Sequence, residues 1–307
     1  MGLRIRTNIS SINAQRRLRH STGALQNSMA KLASGKRINR SADDAAGLAI
    51  SENLRADIRS LSQAKRNAQD GISLVQTAEG SLVETGNMLI RLRELSVQAA
   101  SDTIGNQERE FIDKEYVALK DEIDRITNAT EFNGTRLLAG NGDVPAELAN
   151  PEGTFPLEIH VGSNYYAEAD NIENRNPVNI VKIDMSSINT YTTGEGSLEL
   201  GRADEGTRVN TKPQAQNSLA VLDKAITRVA DYRAYLGAVQ NRLTSTVSNL
   251  GVQIENLHES KSRIQDTDFA AETATYTKAN ILQQAGTSVL GQANQQPTIA
   301  LGLIQNL

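Results

Sequence analysis

Two neighbouring carboxylates, Asp43 and Asp44, are the first candidates for chemistry in this 307-residue chain. A pair of acids can perform general acid and base catalysis, but the side chains of adjacent helical residues point about 100° apart. Acidic residues are also favoured at helix N-termini, where they interact with the helix dipole. We therefore expect Asp43 and Asp44 to cap a helix, with Ser41 and Asp44 forming a capping box.

No other group of residues supports catalysis or metal binding. His20, His160 and His258 lie in three separate segments without the spacing of metal ligands. The chain has no cysteine, which excludes disulfides, cysteine-ligated metals and thiol catalysis. Neither a phosphate-binding loop nor a dinucleotide-binding glycine motif is present. The sequence predicts a protein that is not an enzyme and that has no cofactor and no metal.

Charge is distributed unevenly along the chain. Residues 1–42 carry nine basic side chains and no acidic one, whereas residues 273–307 carry a single charge, that of Lys278. A basic segment could bind nucleic acid or an anionic membrane. However, residues 1–42 contain no aromatic side chain for base stacking or membrane insertion. We therefore expect neither nucleic-acid binding nor membrane insertion.

Proline positions divide the chain into three parts. No proline occurs in residues 1–144 or 214–296, while four lie between Pro145 and Pro177. Because proline disrupts helix interiors, the distribution predicts two long helical arms around an irregular or β-rich middle. Aromatic residues make up only 4% of the chain, which favours helix-to-helix seams over a thick globular core.

Apolar residues recur every three or four positions in three runs, as in coiled coils. The first run comprises Ile50, Leu54, Ile58, Leu61, Ala64, Ala68, Ile72, Val75, Ala78, Leu82, Thr85, Leu89, Leu92, Leu95 and Ala99. The second comprises Ile112, Tyr116, Leu119, Ile123 and Ile126. The third comprises Leu219, Leu222, Ile226, Val229, Arg233, Leu236, Gln240, Leu243, Val247, Leu250, Ile254, Leu257, Lys261 and Ile264. We expect an elongated bundle in which Arg233, Gln240 and Lys261 fix the register or lie at seam edges.

The middle of the chain has the pattern of short strands. Residues Leu157–Val161 and Val178–Ile183 alternate or are rich in β-branched side chains, and turn-forming residues flank them. Asn133-Gly134 is a strong turn signal. The segment Ser186–Ser197 is rich in Ser and Thr and is predicted to be an exposed loop. The expected fold is mainly α, a long helical coiled-coil bundle from both termini with a small central β-hairpin region.

Both terminal arms carry a thin apolar stripe that is too sparse for a helix stable by itself in water. We expect the arms to pair with each other and with those of neighbouring copies, and to become ordered on assembly.

Several motifs resemble those of the bacterial flagellin family. The N-terminal ones are residues Ala33–Ser51 (ASGKRINRSADDAAGLAIS), Leu92–Ala100 (LRELSVQAA) and Glu131–Leu138 (EFNGTRLL). The C-terminal ones are Ser262–Glu272 (SRIQDTDFAAE) and Ile281–Thr287 (ILQQAGT). The resemblance covers about residues 1–140 and 205–307, in the family's order.

This resemblance implies a structural subunit that self-assembles into the bacterial flagellar filament for swimming motility. It implies an inner-tube coiled-coil domain of residues 1–40 and 268–307, and a rod domain of residues 41–267 with its β-rich part at about 140–205. The alternative is a related hook–filament junction protein of the flagellum, which shares the design of the terminal arms.

The resemblance also implies the partners and the location. The protein is expected to be a secreted homopolymer of the extracellular flagellum. It would be exported by the flagellar type III apparatus, which fits the lack of a secretory signal at the start of the sequence. The implied partners are the flagellar cap, the hook–filament junction proteins and a cytoplasmic flagellin chaperone.

Two sets of residues are assigned to function. Assembly is assigned to the apolar residues Ile5, Ile9, Ile12, Leu18, Leu25, Leu282, Val289, Leu290, Leu301 and Ile304. Contact with the innate immune receptor TLR5 is implied by resemblance for Arg91, Leu95 and Glu115, the last aligned through Glu122–Ile126. Ile90 departs from the glutamine common at that position. The alternative for these residues is lateral contact between subunits.

Overall fold

The computed structural model describes residues 7–140, 154–163, 179–194, 196–201 and 206–305, with side chains up to Gln296. The described helices are α1 (Ile9–Ser34), α2 (Ala45–Ala99), α3 (Asn106–Ala129), α4 (Lys212–Gln265) and α5 (Phe269–Gln305). The described strands are β1 (Glu131–Phe132), β2 (Thr135–Arg136), β3 (Leu157–His160) and β4 (Ile180–Ile183). The mainly α fold with a small central β region is confirmed.

The chain divides into two compact units. One contains the residues up to Ile58 and from Glu255 onward, and the other contains Arg59–Ile254. We call them the terminal unit and the central unit. The predicted domain boundaries near residues 40 and 268 both fall inside the terminal unit.

The core of the central unit is a long seam on α2. Every position of the predicted run from Leu61 to Ala99 is buried except Ile72, which is half-buried. Leu82, Leu89 and Leu92 have no exposed surface at all. Spacing of three and four residues keeps one face of the helix inward over many turns, so the coiled-coil prediction is confirmed for Leu61–Ala99. At the start of the predicted run the prediction is wrong for Ile50, which is 50% exposed.

On α4 the seam lies partly one residue earlier than predicted. Ser218, Ala225 and Val239 are buried instead of Leu219, Ile226 and Gln240, while Leu222, Val229, Leu236 and Leu243 are buried as expected. Small side chains at these positions allow neighbouring elements to approach closely. Arg233 is exposed and lies outside the seam, so the prediction that it sits in or beside the seam is wrong.

The two predicted strand segments, β3 and β4, pair with each other in one antiparallel sheet, and β1 and β2 form a second antiparallel pair around the predicted turn. The turn between β1 and β2 places Asn133 and Gly134 at φ values of 51° and 78°, which explains the Asn-Gly pair. The strand pair of β3 and β4 docks onto α2 at Gly71, where a Cβ atom would lie 2.2 Å from Ile159 Cδ1. Asn67 Nδ2 also donates to the His160 carbonyl at 3.0 Å.

The segment Ser186–Ser197 is not the exposed loop that its composition predicted. Ile188–Thr192 and Ser197 are buried. Their hydroxyl groups find partners inside: the Thr190 and Thr127 hydroxyl oxygens lie 2.7 Å apart, and the Thr192 hydroxyl donates to Asp124 Oδ2 at 2.8 Å. Satisfied hydroxyl groups can be buried at little cost, which composition alone does not reveal.

In the terminal unit, α2 begins one turn later than the predicted capping box. Asp44 is the capping residue, and its Oδ1 accepts from the Gly47 amide at 2.9 Å. Asp43 instead accepts from the amides of Asn39 and Arg40 and stabilises the preceding turn. These two hydrogen bonds hold the pKa of Asp43 below its usual value. The predicted capping role is therefore confirmed for Asp44 but wrong for Asp43, and Ser41 takes no part in the hydrogen bonds described at this helix start.

Replacing Leu89 by Ala should remove a fully buried side chain and lower the free energy of unfolding by about 3 kcal/mol. Ile90→Ala is the matched control, because Ile90 is its neighbour on α2 and is 51% exposed. Urea unfolding followed by circular dichroism measures both. Similar losses for the two variants would contradict the assignment of the seam.

Candidate functional site

The first candidate surface is the pair of helices α1 and α5, which run antiparallel. Asn8 Nδ2 donates to the Ala293 carbonyl at 2.7 Å, and the Ser11 hydroxyl donates to Asn294 Oδ1 at 2.7 Å. At the opposite end, Lys31 and Glu272 form an ion pair at 3.9 Å. The most deeply buried side chains of the pair are small. They are Ser11, Ala14 and Ser28 on α1, and Ala279 and Ala293 on α5.

Large apolar side chains of this pair remain in contact with solvent. Among the residues predicted for assembly, Ile9, Ile12, Leu282 and Val289 are 49–56% exposed. Met29, Ile281 and Phe269 are exposed to a similar degree. A run of these side chains along α5, from Phe269 to Leu282, lines an open apolar groove. Exposed apolar area on this scale is typical of a surface that another molecule covers.

The remaining predicted assembly residues divide into two groups. Leu18, Leu25 and Leu290 are half-buried. Ile5 lies outside the described residues. Leu301 and Ile304 belong to helix α5, but their side chains lie outside the described part of the chain.

Hydrogen bonds join the segment that follows α1 to the segment that connects α4 with α5, and we call this contact the polar joint. Gly35 ends α1 with a φ of 68°, and its carbonyl accepts from the Thr267 amide at 3.0 Å. The Arg37 amide donates to the Gln265 carbonyl at 2.7 Å. The Arg37 guanidinium donates to the carbonyls of Ile264 at 2.7 Å and Arg263 at 3.3 Å. The last carbonyls of α4, which have no partner within the helix, are thereby satisfied.

Basic residues of α1 lie on its exposed surface. Arg16, Arg17, Arg19 and His20 are all exposed, and Arg16 donates to Asn13 Oδ1 at 3.0 Å. Helix α5 contributes only Glu272 and Lys278 as charged groups. The pair of helices therefore carries a net positive charge.

A second candidate surface lies on α2 and α3. The Arg91 guanidinium donates to Glu115 Oε1 through Nη2 at 2.8 Å and through Nε at 3.0 Å, and to Glu94 through Nη1 at 3.0 Å. These hydrogen bonds, with that to Glu115 the largest contributor, raise the pKa of Arg91. Arg91 and Glu115 are about half exposed, so the predicted pair lies together at the surface. Leu95 is only 1% exposed and packs in the core, so it does not share that surface.

Helix α3 buries Tyr116 and Ile123 as predicted, together with four polar residues that the apolar pattern did not predict. The predicted Ile112, Leu119 and Ile126 are half-buried, whereas the fully buried row comprises Arg109, Asp113, Tyr116, Lys120, Ile123 and Thr127. The row keeps the spacing of three and four residues. Charged residues that recur at this spacing were therefore the feature of the sequence that could have predicted the buried row.

Each buried charged side chain of this row is hydrogen-bonded to a different backbone segment. Arg109 donates to the carbonyls of Ala99 and Ser101 at the end of α2, at 2.8 and 2.9 Å. Asp113 accepts from the Arg208 guanidinium at 2.7 Å and from the Val209 amide at 2.9 Å. Helix α3 therefore clamps the segment that leads into α4.

Lys120 is the most unusual member of the row, because its side chain is 1% exposed. Its ammonium donates to the carbonyls of Leu200 at 3.3 Å and Thr207 at 3.1 Å. Burial lowers the pKa of Lys120 to about 8, although the nearby carboxylates of Asp113 and Asp124 act in the opposite direction.

Two other kinds of site are absent from the part of the chain that the structure describes. That part contains no group of three or more His, Cys, Asp or Glu residues placed to hold a metal ion. Among the helices described, none combines the length and apolar character that crossing a membrane requires.

Comparison with known families matches both ends of the chain. The bacterial flagellin N-terminal helical region matches residues 5–143, and the bacterial flagellin C-terminal helical region matches residues 219–304. The flagellin of Bacillus subtilis is 43% identical over 310 residues, which covers 99% of this chain and 100% of the relative. The flagellin of Halalkalibacterium halodurans is 40% identical and covers 98% and 99% of the two chains.

Similarity of fold is also seen with a solved structure. A putative flagellar hook-associated protein from Vibrio parahaemolyticus superposes with a TM-score of 0.55 at 15% identity, over 73% of this chain and 100% of that one. At this level of identity the likeness concerns the fold alone.

The buried Lys120 gives a pH dependence of stability with a defined sign. Between pH 8 and 10 the unfolded chain, with an ordinary lysine pKa of 10.5, binds more protons than the folded chain. The free energy of unfolding should therefore rise with pH in this window, by about 2–3 kcal/mol from Lys120. Lys120→Met should abolish the rise, and Lys114→Met, at an exposed position of the same helix, should keep it.

Urea unfolding at several pH values checks this difference between variants. The window stays below pH 10 because burial raises the pKa of Tyr116, whose ionisation would act with the opposite sign. Equal pH slopes for the native chain and Lys120→Met would contradict the assignment.

Proposed function

Because this chain belongs to the bacterial flagellins, we propose that its paired terminal helices form the assembly surface of a filament subunit. The chain is a structural subunit of the extracellular bacterial flagellar filament, which serves motility, and it is not an enzyme. Nothing favours the hook–filament junction alternative. The likeness to the hook-associated structure does not support this alternative, because at 15% identity it concerns the fold alone.

The observation that carries the assembly proposal is the position of the large apolar side chains. In the pair of α1 and α5, the contacts within one chain use mainly small side chains, while Ile12, Leu282 and Val289 are 49–56% exposed. Covering such side chains contributes about 25 cal/mol for each Å² removed from water. This gain is available only when another copy packs against them, so assembly and the stability of the terminal helices are coupled.

The proposed division into domains follows the same reasoning. Residues 1–40 and 268–307 would line the inner tube of the filament, and residues 41–267 would form the rod domain around it. The helix breaks on both sides of the polar joint, between α1 and α2 and between α4 and α5, lie close to these limits. The two compact units meet at other positions, after Ile58 within α2 and before Glu255 within α4, because each of these helices continues from one unit into the other.

Partners beyond the homopolymer follow from the family and from the exposed groove on α5. A subunit with exposed apolar side chains at its C-terminal helix needs protection before assembly, which a flagellin chaperone would give. The export apparatus, the flagellar cap and the hook–filament junction proteins are the other partners that we propose.

Recognition by TLR5 is proposed for the surface around Arg91 and Glu115. Their hydrogen bonds hold the two side chains in fixed positions on neighbouring helices, and both remain about half exposed. Since Leu95 is buried below them, its contribution would be to hold α2 against the core. Lateral contact between subunits remains the competing role for this surface.

Leu282→Asp should prevent filament formation, because assembly would have to bury a new carboxylate in an apolar contact. Leu282→Met is the matched control, since it keeps an apolar side chain of similar volume. Electron microscopy after seeding and salting-out measures filaments, and circular dichroism checks that the monomers keep equal helix content. Normal filaments from Leu282→Asp would refute the assignment of this surface.

Arg91→Ala should reduce activation of a TLR5 reporter cell line by monomeric protein at least about tenfold, the effect of losing roughly 1.4 kcal/mol of binding. Arg93→Ala is the control, because Arg93 is also about half exposed on α2 but pairs with Asp223 on α4. Full activity of Arg91→Ala would remove the receptor proposal and leave lateral packing. A test of filament formation with the same variant then measures that role.

A further inference from the structure

The seam between α1 and α5 repeats itself every seven residues. On α1 its buried and half-buried positions include Ser11, Ala14, Leu18, Ser21, Leu25, Ser28 and Leu32. On α5 they include Glu272, Tyr276, Ala279, Gln283, Gly286, Leu290 and Ala293. Both sets follow the alternating spacing of three and four residues that defines a coiled-coil seam.

This repeat leaves the register of the pair weakly determined by apolar packing. Leu18 packs against Gly286, where an added Cβ would lie 3.3 Å from Leu18 Cδ1. Seven residues before and after Gly286 stand Ala279 and Ala293, which are also small and exceed glycine by a single methyl group. A slip of one heptad would therefore place Leu18 against another small residue, with much of the apolar contact restored.

Polar groups at the joint have no such repeat. The guanidinium of Arg37 donates to two carbonyls at the end of α4, at 2.7 and 3.3 Å. These hydrogen bonds are charge-assisted because the guanidinium group is positively charged. The negative end of the α4 dipole also attracts this charge. Backbone hydrogen bonds from Arg37 to Gln265 and from Thr267 to Gly35 flank them. Since α5 begins at Phe269, the joint fixes where α5 starts relative to the end of α1.

We propose that Arg37 is a positioning residue that sets the register of α1 against α5 by tying the end of α1 to the end of α4. Without it, the pair still forms but populates registers displaced by seven residues. The exposed apolar side chains of the two helices would then no longer form one defined surface for the next copy. The importance of Arg37 for filaments rests on the assembly role proposed above, whereas the register is a property of one chain.

Cysteine cross-linking in the full-length chain can read the register directly, because the native sequence has no cysteine. Ser11→Cys with Asn294→Cys reports the native register, since these side chains are hydrogen-bonded. Ser11→Cys with Thr287→Cys reports a slip of one heptad. Labelled and unlabelled chains are mixed, assembled by salting-out and treated with a short bismaleimide. Mass spectrometry then counts only the links within one chain.

Arg37→Ala should lower the ratio of native to slipped links about tenfold. Arg40→Ala is the matched control, because Arg40 is an exposed arginine of the same turn, and the native ratio should persist. Arg37→Lys should restore the ratio in part, since an ammonium can donate to the same carbonyls without the fork.

An unchanged ratio in Arg37→Ala would overturn the proposal. So would an equal loss of both links, because the pair would then open instead of slipping. The absence of either link in the native chain would overturn it as well. Both links are counted in the same assembled sample, and a failure of the assembly proposal shows separately, as normal filaments from Leu282→Asp.

Discussion

The small side chains between the two chain ends are the constraint on which the terminal unit depends. Ser11, Ala14, Ala279 and Ala293 allow α1 and α5 to lie side by side, but they bury little apolar area. Large apolar side chains such as Ile12 and Leu282 are therefore left on the outer surface of the pair. A subunit of this design gains stability from its neighbours, which is the physical basis of a filament built from identical chains.

The central unit uses the opposite arrangement. Its apolar seam on α2 is buried within one chain, and helix α3 adds a row of polar contacts that hold the backbone around it. Arg109 satisfies the end of α2, Asp113 holds Arg208 and Val209, and Lys120 holds two further carbonyls. Buried polar groups of this kind add less stability than apolar ones but specify one arrangement of the connecting segments.

The sequence predicted the helices, the hairpins and the seam on α2, because each depends on a local pattern. Heptad spacing from Leu61 to Ala99 and the Asn133-Gly134 turn are such patterns. Predictions failed where polar side chains find partners that are distant in sequence. The hydroxyl of Thr192 is satisfied by Asp124, 68 residues away, so a segment that reads as exposed is buried.

Prediction of the candidate sites was limited in the same way, by contacts between residues that are distant in sequence. The exposure of Ile12 and Leu282 follows from which face of each helix meets its partner, and the sequence stripe did not separate the two faces. Leu95 shares a helix with Arg91 but points into the core, so a motif read as one unit spans two environments. Arg37 belongs to a sequence motif that indicated the family, but the motif did not indicate the contacts that Arg37 makes with α4.

The antiparallel pairing of α1 and α5 places the start of α1 beside the C-terminal part of α5, with Asn8 beside Ala293. A pulling force on the first residues therefore acts where the helices fray most readily. Each turn that unravels releases only a few small contacts, and no disulfide resists the force. The chain would then be drawn out in many low-force steps instead of one concerted rupture, which suits the export through the flagellar apparatus that we propose.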